Sequence, residues 1–262
     1  MSPINNHSCR LCGGALATKF SLLALKKYQV VYWECASCAS LQTDEPFWLN
    51  EAYSINLSKF DTGAAQRNIN NFIRVFLISN VLNLKNIIDI GGGDGLLCRL
   101  LRDAGLNCFS TDKYAIPTYA QEFNSPTFAS PDLTLAFEVI EHFENPPLEF
   151  ENIFLRDSNF ILLSTGIYKN QDQNWWYLNP QSGQHIFFYS EKAIKYLAKN
   201  NNYEVIMLHG YFLMYKKHSI GNLKLALIKF LMLPPVLRIA KPFIFLLPMN
   251  GAWIDHIFLT KN

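Results

Sequence analysis

Apolar side chains recur at spacings of three and four between Ile69 and Leu84, through Phe72, Ile73, Phe76, Leu77 and Val81, which predicts an amphipathic helix. The pattern then changes. Ile87-Ile88-Asp89-Ile90 reads as a buried strand, four glycines follow within five residues (Gly91, Gly92, Gly93 and Gly95), and Leu96-Leu97-Cys98-Arg99-Leu100-Leu101 resumes helical spacing. Further apolar runs predict strands ending at Asp112, at Leu133–Phe137, at Phe160–Gly166 and at Tyr203–Leu208, with a last one at Ile254–Thr260. Helix starts are marked by Asn145-Pro146-Pro147 and by Ser190. Strands alternating with helices in this way predict a doubly wound α/β sheet.

The first 45 residues follow another rule. Cys9-Arg10-Leu11-Cys12 and Cys35-Ala36-Ser37-Cys38 form two C-x2-C pairs with 22 residues between them, and Tyr28-Gln29-Val30-Val31-Tyr32-Trp33 alternates like a strand leading into the second pair. Two such knuckles bring four thiolates to one tetrahedral ion, so Cys9, Cys12, Cys35 and Cys38 are expected to hold a structural Zn²⁺ in a small ribbon. Two disulfides or a redox C-x-x-C are the competing readings. Residues 46–59 read as a covering segment that leads out of the ribbon.

Composition narrows the partners. A formal charge of +2 with 17% charged residues leaves no electrostatic footprint for nucleic acid. Met1–His7 has neither a basic nor an apolar leader region, so a reducing, cytoplasmic setting is expected, and Cys98 and Cys108 fall within the core pattern as inert thiols.

The glycine turn carries the candidate chemistry. A helix starting there aims free N–H groups into the turn, which favours an anionic ligand such as a nucleotide. A dinucleotide fingerprint needs glycine at position 96, where Leu96 stands. Asp89, Gly91, Gly93 and Gly95 do match D-x-G-x-G-x-G, and this resembles motif I of the class I S-adenosylmethionine-dependent methyltransferases. The resemblance implies a Rossmann-like sheet with an antiparallel last strand, taken as Ile254–Thr260, so that residues 220–250 would be an insertion between the last two strands. It also implies two domains, a ribbon over 1–45 and a methyltransferase domain over 46–262. S-adenosylmethionine would lie against Asp89, Gly91, Gly92, Gly93 and Gly95, with Asp112 on the ribose hydroxyls and Lys113 and Tyr114 beside the adenine. Only twenty positions separate Asp112 from Asp132, so the usual third strand must be shortened or irregular. A turn that merely needs glycine is the plain alternative.

Two further segments carry the resemblance. Phe137-Glu138-Val139-Ile140-Glu141-His142 is similar to the E-V-L-E-H stretch of small-molecule methyltransferases, and a strand end of this kind lines the ligand cleft of an open α/β sheet. Trp175-Trp176-Tyr177-Leu178-Asn179-Pro180 through Gly183-Gln184-His185 resembles a W-x-Y-L-x-P-x-x-G-Q-H segment of methyltransferases from glycan and natural-product pathways. Methyl transfer to a small molecule is therefore expected, the acceptor including sugars, glycans and lipid-linked precursors. His185 or His142 would be the general base, with Glu141 and Tyr177 as supporting polar groups; a purely structural histidine is the alternative. A silent cofactor-binding protein and a nicotinamide-dependent oxidoreductase remain open from the residues alone. The most apolar stretch, 223–248, is interrupted by Lys224, Lys229, Arg238, Lys241 and Pro234-Pro235, which argues against a transmembrane helix and leaves a lid, a dimer contact or docking at a membrane surface.

Overall fold

The computed structural model describes residues 8–53 and 62–261. Met1–His7 and the second half of the covering segment lie outside the described residues. In chain order the strands are β1 Leu16–Ala24, β2 Tyr28–Cys35, β3 Leu41–Thr43, β4 Asn86–Ile90, β5 Asn107–Thr111, β6 Leu133–Phe137, β7 Phe160–Ser164, β8 Phe187–Phe188, β9 Tyr203–Leu208 and β10 Tyr211–Lys216. The helices are α1 Leu49–Ala52, α2 Ala64–Leu82, α3 Leu96–Asp103, α4 Pro146–Phe154, α5 Glu191–Asn200, α6 Asn222–Leu231, α7 Pro234–Phe245 and α8 Gly251–Lys261. They fall into two compact units. One holds the described residues within 1–58 together with 138–155 and 164–205; the other holds those within 59–137 with 156–163 and 206–262.

In the second unit the sheet order is β5-β4-β6-β7-β10-β9, and β4 pairs in parallel with both β5 and β6. Its strands are near-continuous apolar runs, as expected of strands covered on both faces, and Ile87, Leu133, Leu135 and Leu162 join Phe72, Val75 and Ile78 of α2 in one core. The residues between Asp112 and Asp132 form no strand, in line with their short spacing. Instead they fold back as a loop that buries Ala120 and Phe123, with Ser110 N–H donating to the Phe123 carbonyl at 2.8 Å.

The chain end corrects one expectation. Residues 254–260 lie inside helix α8, and the reversed strand is β10, which follows β9 after only His209 and Gly210. Both turn residues have positive φ, 48° and 91°, the geometry of a two-residue hairpin, which forces β10 to run antiparallel to β9. Residues 220–250 thus follow the sheet instead of interrupting it. The Ile254–Thr260 pattern misleads because α8 is apolar almost all round, so no helical stripe stands out. Asp255 fixes this helix: its carboxylate accepts from Arg102 Nη2 at 2.6 Å and Nε at 2.8 Å and from Arg99 Nη2 at 2.7 Å.

In the first unit β1 and β2 form an antiparallel ribbon running from Leu16 opposite Cys35 to Ala24 opposite Tyr28, with a register shift between Thr18 and Phe20. β3 extends it, and β8, nearly 150 residues further on, pairs with β3 through Leu41 opposite Phe188. Tyr32, Trp48, Tyr177, Ile186 and Phe188 make its core. Arg10 ties the first knuckle to the same late segment, donating from Nη2 to the Ile186 carbonyl at 2.7 Å, while burial lowers its guanidinium to about 10. Ser190 caps α5 by accepting from Ala193 N–H at 3.0 Å and donates to the Cys38 carbonyl at 2.5 Å. Asn145 caps α4 with proline in its first turn, as the sequence predicts.

Candidate functional site

The glycine turn in the second unit is built by close approach. Gly91, Gly93 and Gly95 all have positive φ, from 56° to 78°. A Cβ on Gly92 would stand 2.2 Å from Ser110 Oγ and 2.6 Å from Asp89 Oδ2, whereas a Cβ on Gly93 would meet nothing within 4 Å. One glycine is therefore required by the fold and the next presents open backbone. Asp112 holds the turn from the neighbouring strand: Oδ2 accepts from Gly93 N–H at 3.0 Å, and Oδ1 accepts from Tyr114 and Ala115 N–H at 2.7 and 2.8 Å. A carboxylate has lone pairs for about four hydrogen bonds, so one further hydroxyl donor can still be accepted. Beneath the turn Asp89 is buried, its Oδ2 and Ser110 Oγ have no partner, and desolvation followed by the Asp112 charge raises Asp89 to about 7.

The first unit holds a polar cluster. Glu138 follows β6 directly with φ of 55°, a left-handed conformation that a glutamate adopts only at a cost. Its Oε1 accepts from Ser164 Oγ at 2.8 Å. Tyr177 OH lies 3.0 Å from Glu138 Oε2, 2.5 Å from Glu141 Oε1 and 3.2 Å from Thr165 Oγ1. One phenol proton cannot serve two carboxylates, so one carboxyl must carry a proton. Burial first, and then the Glu138 charge, push Glu141 up to about 8, which makes Glu141 the protonated member; its second oxygen, Oε2, is buried without a partner. The Tyr177 ring lies flat on Gly166, where a Cβ would come within 2.4 Å of it.

The two histidines adjoin this network. His185 Nδ1 is 2.7 Å from the Tyr177 carbonyl, which only accepts, so Nδ1 carries the hydrogen and Nε2 the lone pair of the neutral ring. His142 Nδ1 is 2.6 Å from Tyr53 OH, and its ring stands edge-on to His185 with centroids 5.1 Å apart. Desolvation, and then His185, hold His142 well below the usual histidine value, so His142 is uncharged near neutral pH. Glu141, His142 and His185 each bring one ligand atom within 4.8 Å of the others, a set able to hold a metal ion.

Cys9, Cys12, Cys35 and Cys38 form a second such set, and none is in a disulfide. The short contacts cross the knuckles, Cys9 to Cys38 and Cys12 to Cys35, each with sulfurs 3.6 Å apart. Tetrahedral bonds of about 2.3 Å put sulfurs about 3.8 Å apart, close to this spacing and far from a disulfide. The hydrogen bond from Cys9 holds Cys38 below the usual thiol value, while Cys9 is pushed up.

Residues 63–208, more than half of the chain, match the family described as methyltransferase domain. The chain belongs to the class I S-adenosylmethionine-dependent methyltransferases. Among solved structures it is similar to the magnesium protoporphyrin IX methyltransferase of Synechocystis PCC 6803 with bound SAM, at 12% identity over 64% of this chain and 89% of that one, with a TM-score of 0.43. It is also similar to the mitomycin 7-O-methyltransferase, at 15% identity over 56% and 52% with a TM-score of 0.42, and to human N-acetylserotonin methyltransferase in complex with SAM, at 14% over 56% and 51% with a TM-score of 0.41. No curated protein matches the chain.

In this methyltransferase Asp89, Gly91, Gly92, Gly93, Gly95 and Asp112 gather at one turn, and Lys113 and Tyr114 sit exposed beside it, with the ammonium 5.0 Å over the ring. Phe137 packs edge-on against Tyr211 at 5.7 Å. Glu138, Glu141, His142, Tyr177 and His185 form the separate cluster in the other unit. Sequence reasoning placed Glu138 only with the cofactor and missed Thr165, Ser164 and Tyr53 in that network, for hydroxyls on a strand end and an exit loop carry no spacing signal.

Proposed function

We propose that this methyltransferase methylates a hydroxyl oxygen of a small-molecule acceptor, of the sugar or lipid-linked sugar class, with His185 as general base. The observation that carries the reading is the His185 tautomer: Tyr177 fixes the hydrogen on Nδ1 and leaves Nε2 as the basic nitrogen. Asp112, with the open backbone at Gly93, fits S-adenosylmethionine, and the unpartnered Asp89 Oδ2 and Ser110 Oγ fit a turn completed by a polar ligand. Bound there, the cofactor supplies an electrophilic sulfonium methyl.

The chain's own residues do the rest. His185 takes the acceptor proton at Nε2, and the Tyr177 carbonyl steadies the Nδ1–H of the resulting imidazolium. His142 stays neutral, because two imidazolium rings 5.1 Å apart would repel. Glu138, sharing the Tyr177 phenol with protonated Glu141, keeps one negative charge near that imidazolium. The cysteine set holds Zn²⁺ with all four positions filled by sulfur, which assigns it to structure and not to turnover.

A panel of hydroxyl-bearing acceptors with methyl-labelled cofactor tests the proposal. His185→Ala should lower kcat by about a hundredfold or more, His142→Ala by less, and neither should change cofactor affinity. Wild-type turnover in both variants would show the base to be elsewhere. The Glu141, His142 and His185 set, with the orphaned Glu141 Oε2, favours a second reading, a divalent cation that acidifies the hydroxyl. Turnover that rises with added Mg²⁺ or Mn²⁺ would decide for it.

A further inference from the structure

Helices α6 and α7 carry apolar side chains on two faces. One face enters the core of their unit through Ile228, Met232, Leu237 and Ile244. The other stays in solvent. On α6, Leu223, Leu227 and Phe230 recur at i, i+4 and i+7, with Leu223 85% exposed; on α7 and its C-cap, Ile239, Phe243 and Leu246 repeat the spacing, with Leu246 80% exposed. Trp253 at the start of α8 is 65% exposed as well. An apolar surface of this kind marks an interaction site and not ordinary surface scatter.

The charge around it selects the partner. Residues 217–254 contain five cations, Lys217, Lys224, Lys229, Arg238 and Lys241, and no aspartate or glutamate. The next acid, Asp255, is turned inward to Arg99 and Arg102. A self-complementary contact between two copies would bring these cations together uncompensated, whereas an anionic bilayer offers phosphate to the cations and acyl chains to the exposed stripes. Among the described residues no helix is long and apolar enough to cross a membrane. The twelve residues of α7 span about 18 Å of a roughly 30 Å hydrocarbon core.

We propose that α6 and α7, with Trp253, dock this protein in the interface of a membrane containing anionic lipid. The proposal does not depend on the acceptor or the base. Flotation of the full chain with phosphatidylcholine vesicles, and with vesicles in which about a third of the lipid is phosphatidylglycerol, tests it. Wild type should float with the anionic vesicles and far less with the neutral ones, and added salt should weaken binding. The double variant Ile239→Glu, Phe243→Glu should lose about tenfold or more in partitioning, and Lys224→Gln, Lys229→Gln, Arg238→Gln should lose the anionic preference. Both variants change exposed side chains, and unchanged circular dichroism and cofactor affinity would show that each is folded. Wild type remaining at the bottom with both vesicles, or floating equally with both, would overturn the proposal. So would a dimer in sedimentation velocity that dissociates in the double variant without any vesicle binding, since a second copy would then cover the surface.

Discussion

Asp89 shows how tightly a single side chain is packed beneath the glycine turn. Its Oδ2 is buried, has no partner and lies so close under Gly92 that no Cβ fits between, while burial and the Asp112 charge raise it to about 7. A carboxyl raised from 3.8 stays protonated in the folded chain while the unfolded chain ionises. Without cofactor, the stability it contributes is therefore fully present below about pH 4 and is lost as pH rises through about 7. Against Asp89→Asn, which stays neutral, wild type should lose up to about 1.4 kcal/mol per pH unit across that window and then run parallel. Denaturant titrations at a series of pH values measure the difference, and parallel curves throughout would show that Asp89 is ionised in the fold. The turn itself was legible in the sequence because positive φ and close approach restrict its positions to glycine. The sequence could not show the Glu138–Tyr177–Glu141 network, whose members are spread over 40 positions and meet only through the left-handed turn at Glu138 and the seat at Gly166.

At the scale of elements, the ribbon and the histidine segment form one piece. β3 pairs with β8, Arg10 reaches the carbonyl after His185, and Ser190 bonds the Cys38 carbonyl. Metal held by the four cysteines should then support His185 as well as the ribbon. Cys35→Ser is expected to lose one zinc per chain, to cost about 3 kcal/mol or more and to lower kcat together with stability, as read by metal analysis, thermal unfolding and turnover. Full metal loss with unchanged stability would remove the structural role. The C-x2-C spacing made the thiol cluster legible, and helix caps at Asn145 and Ser190 were legible for the same reason, a local hydrogen bond. β1 was not, because its register shift between Thr18 and Phe20 breaks the alternation, and the last strand was misplaced because the all-round apolar α8 hid its period.

At the scale of the whole molecule, the residues proposed for the two tasks fall in different units. The glycine turn and Asp112 belong to the unit with the parallel sheet, and the histidines, Glu141 and Tyr177 belong to the unit with the ribbon, although Phe137 and Glu138 join them in the chain. Binding of cofactor and removal of the acceptor proton should therefore be separable by substitution. Calorimetry of S-adenosylmethionine binding tests this most directly, since it needs no acceptor. Asp112→Asn keeps the shape of the side chain but removes its charge, so affinity should fall by about 1–3 kcal/mol, roughly five- to 150-fold. His185→Ala should bind as wild type does. Equal affinity in Asp112→Asn and wild type, or an equal loss in His185→Ala, would contradict the division.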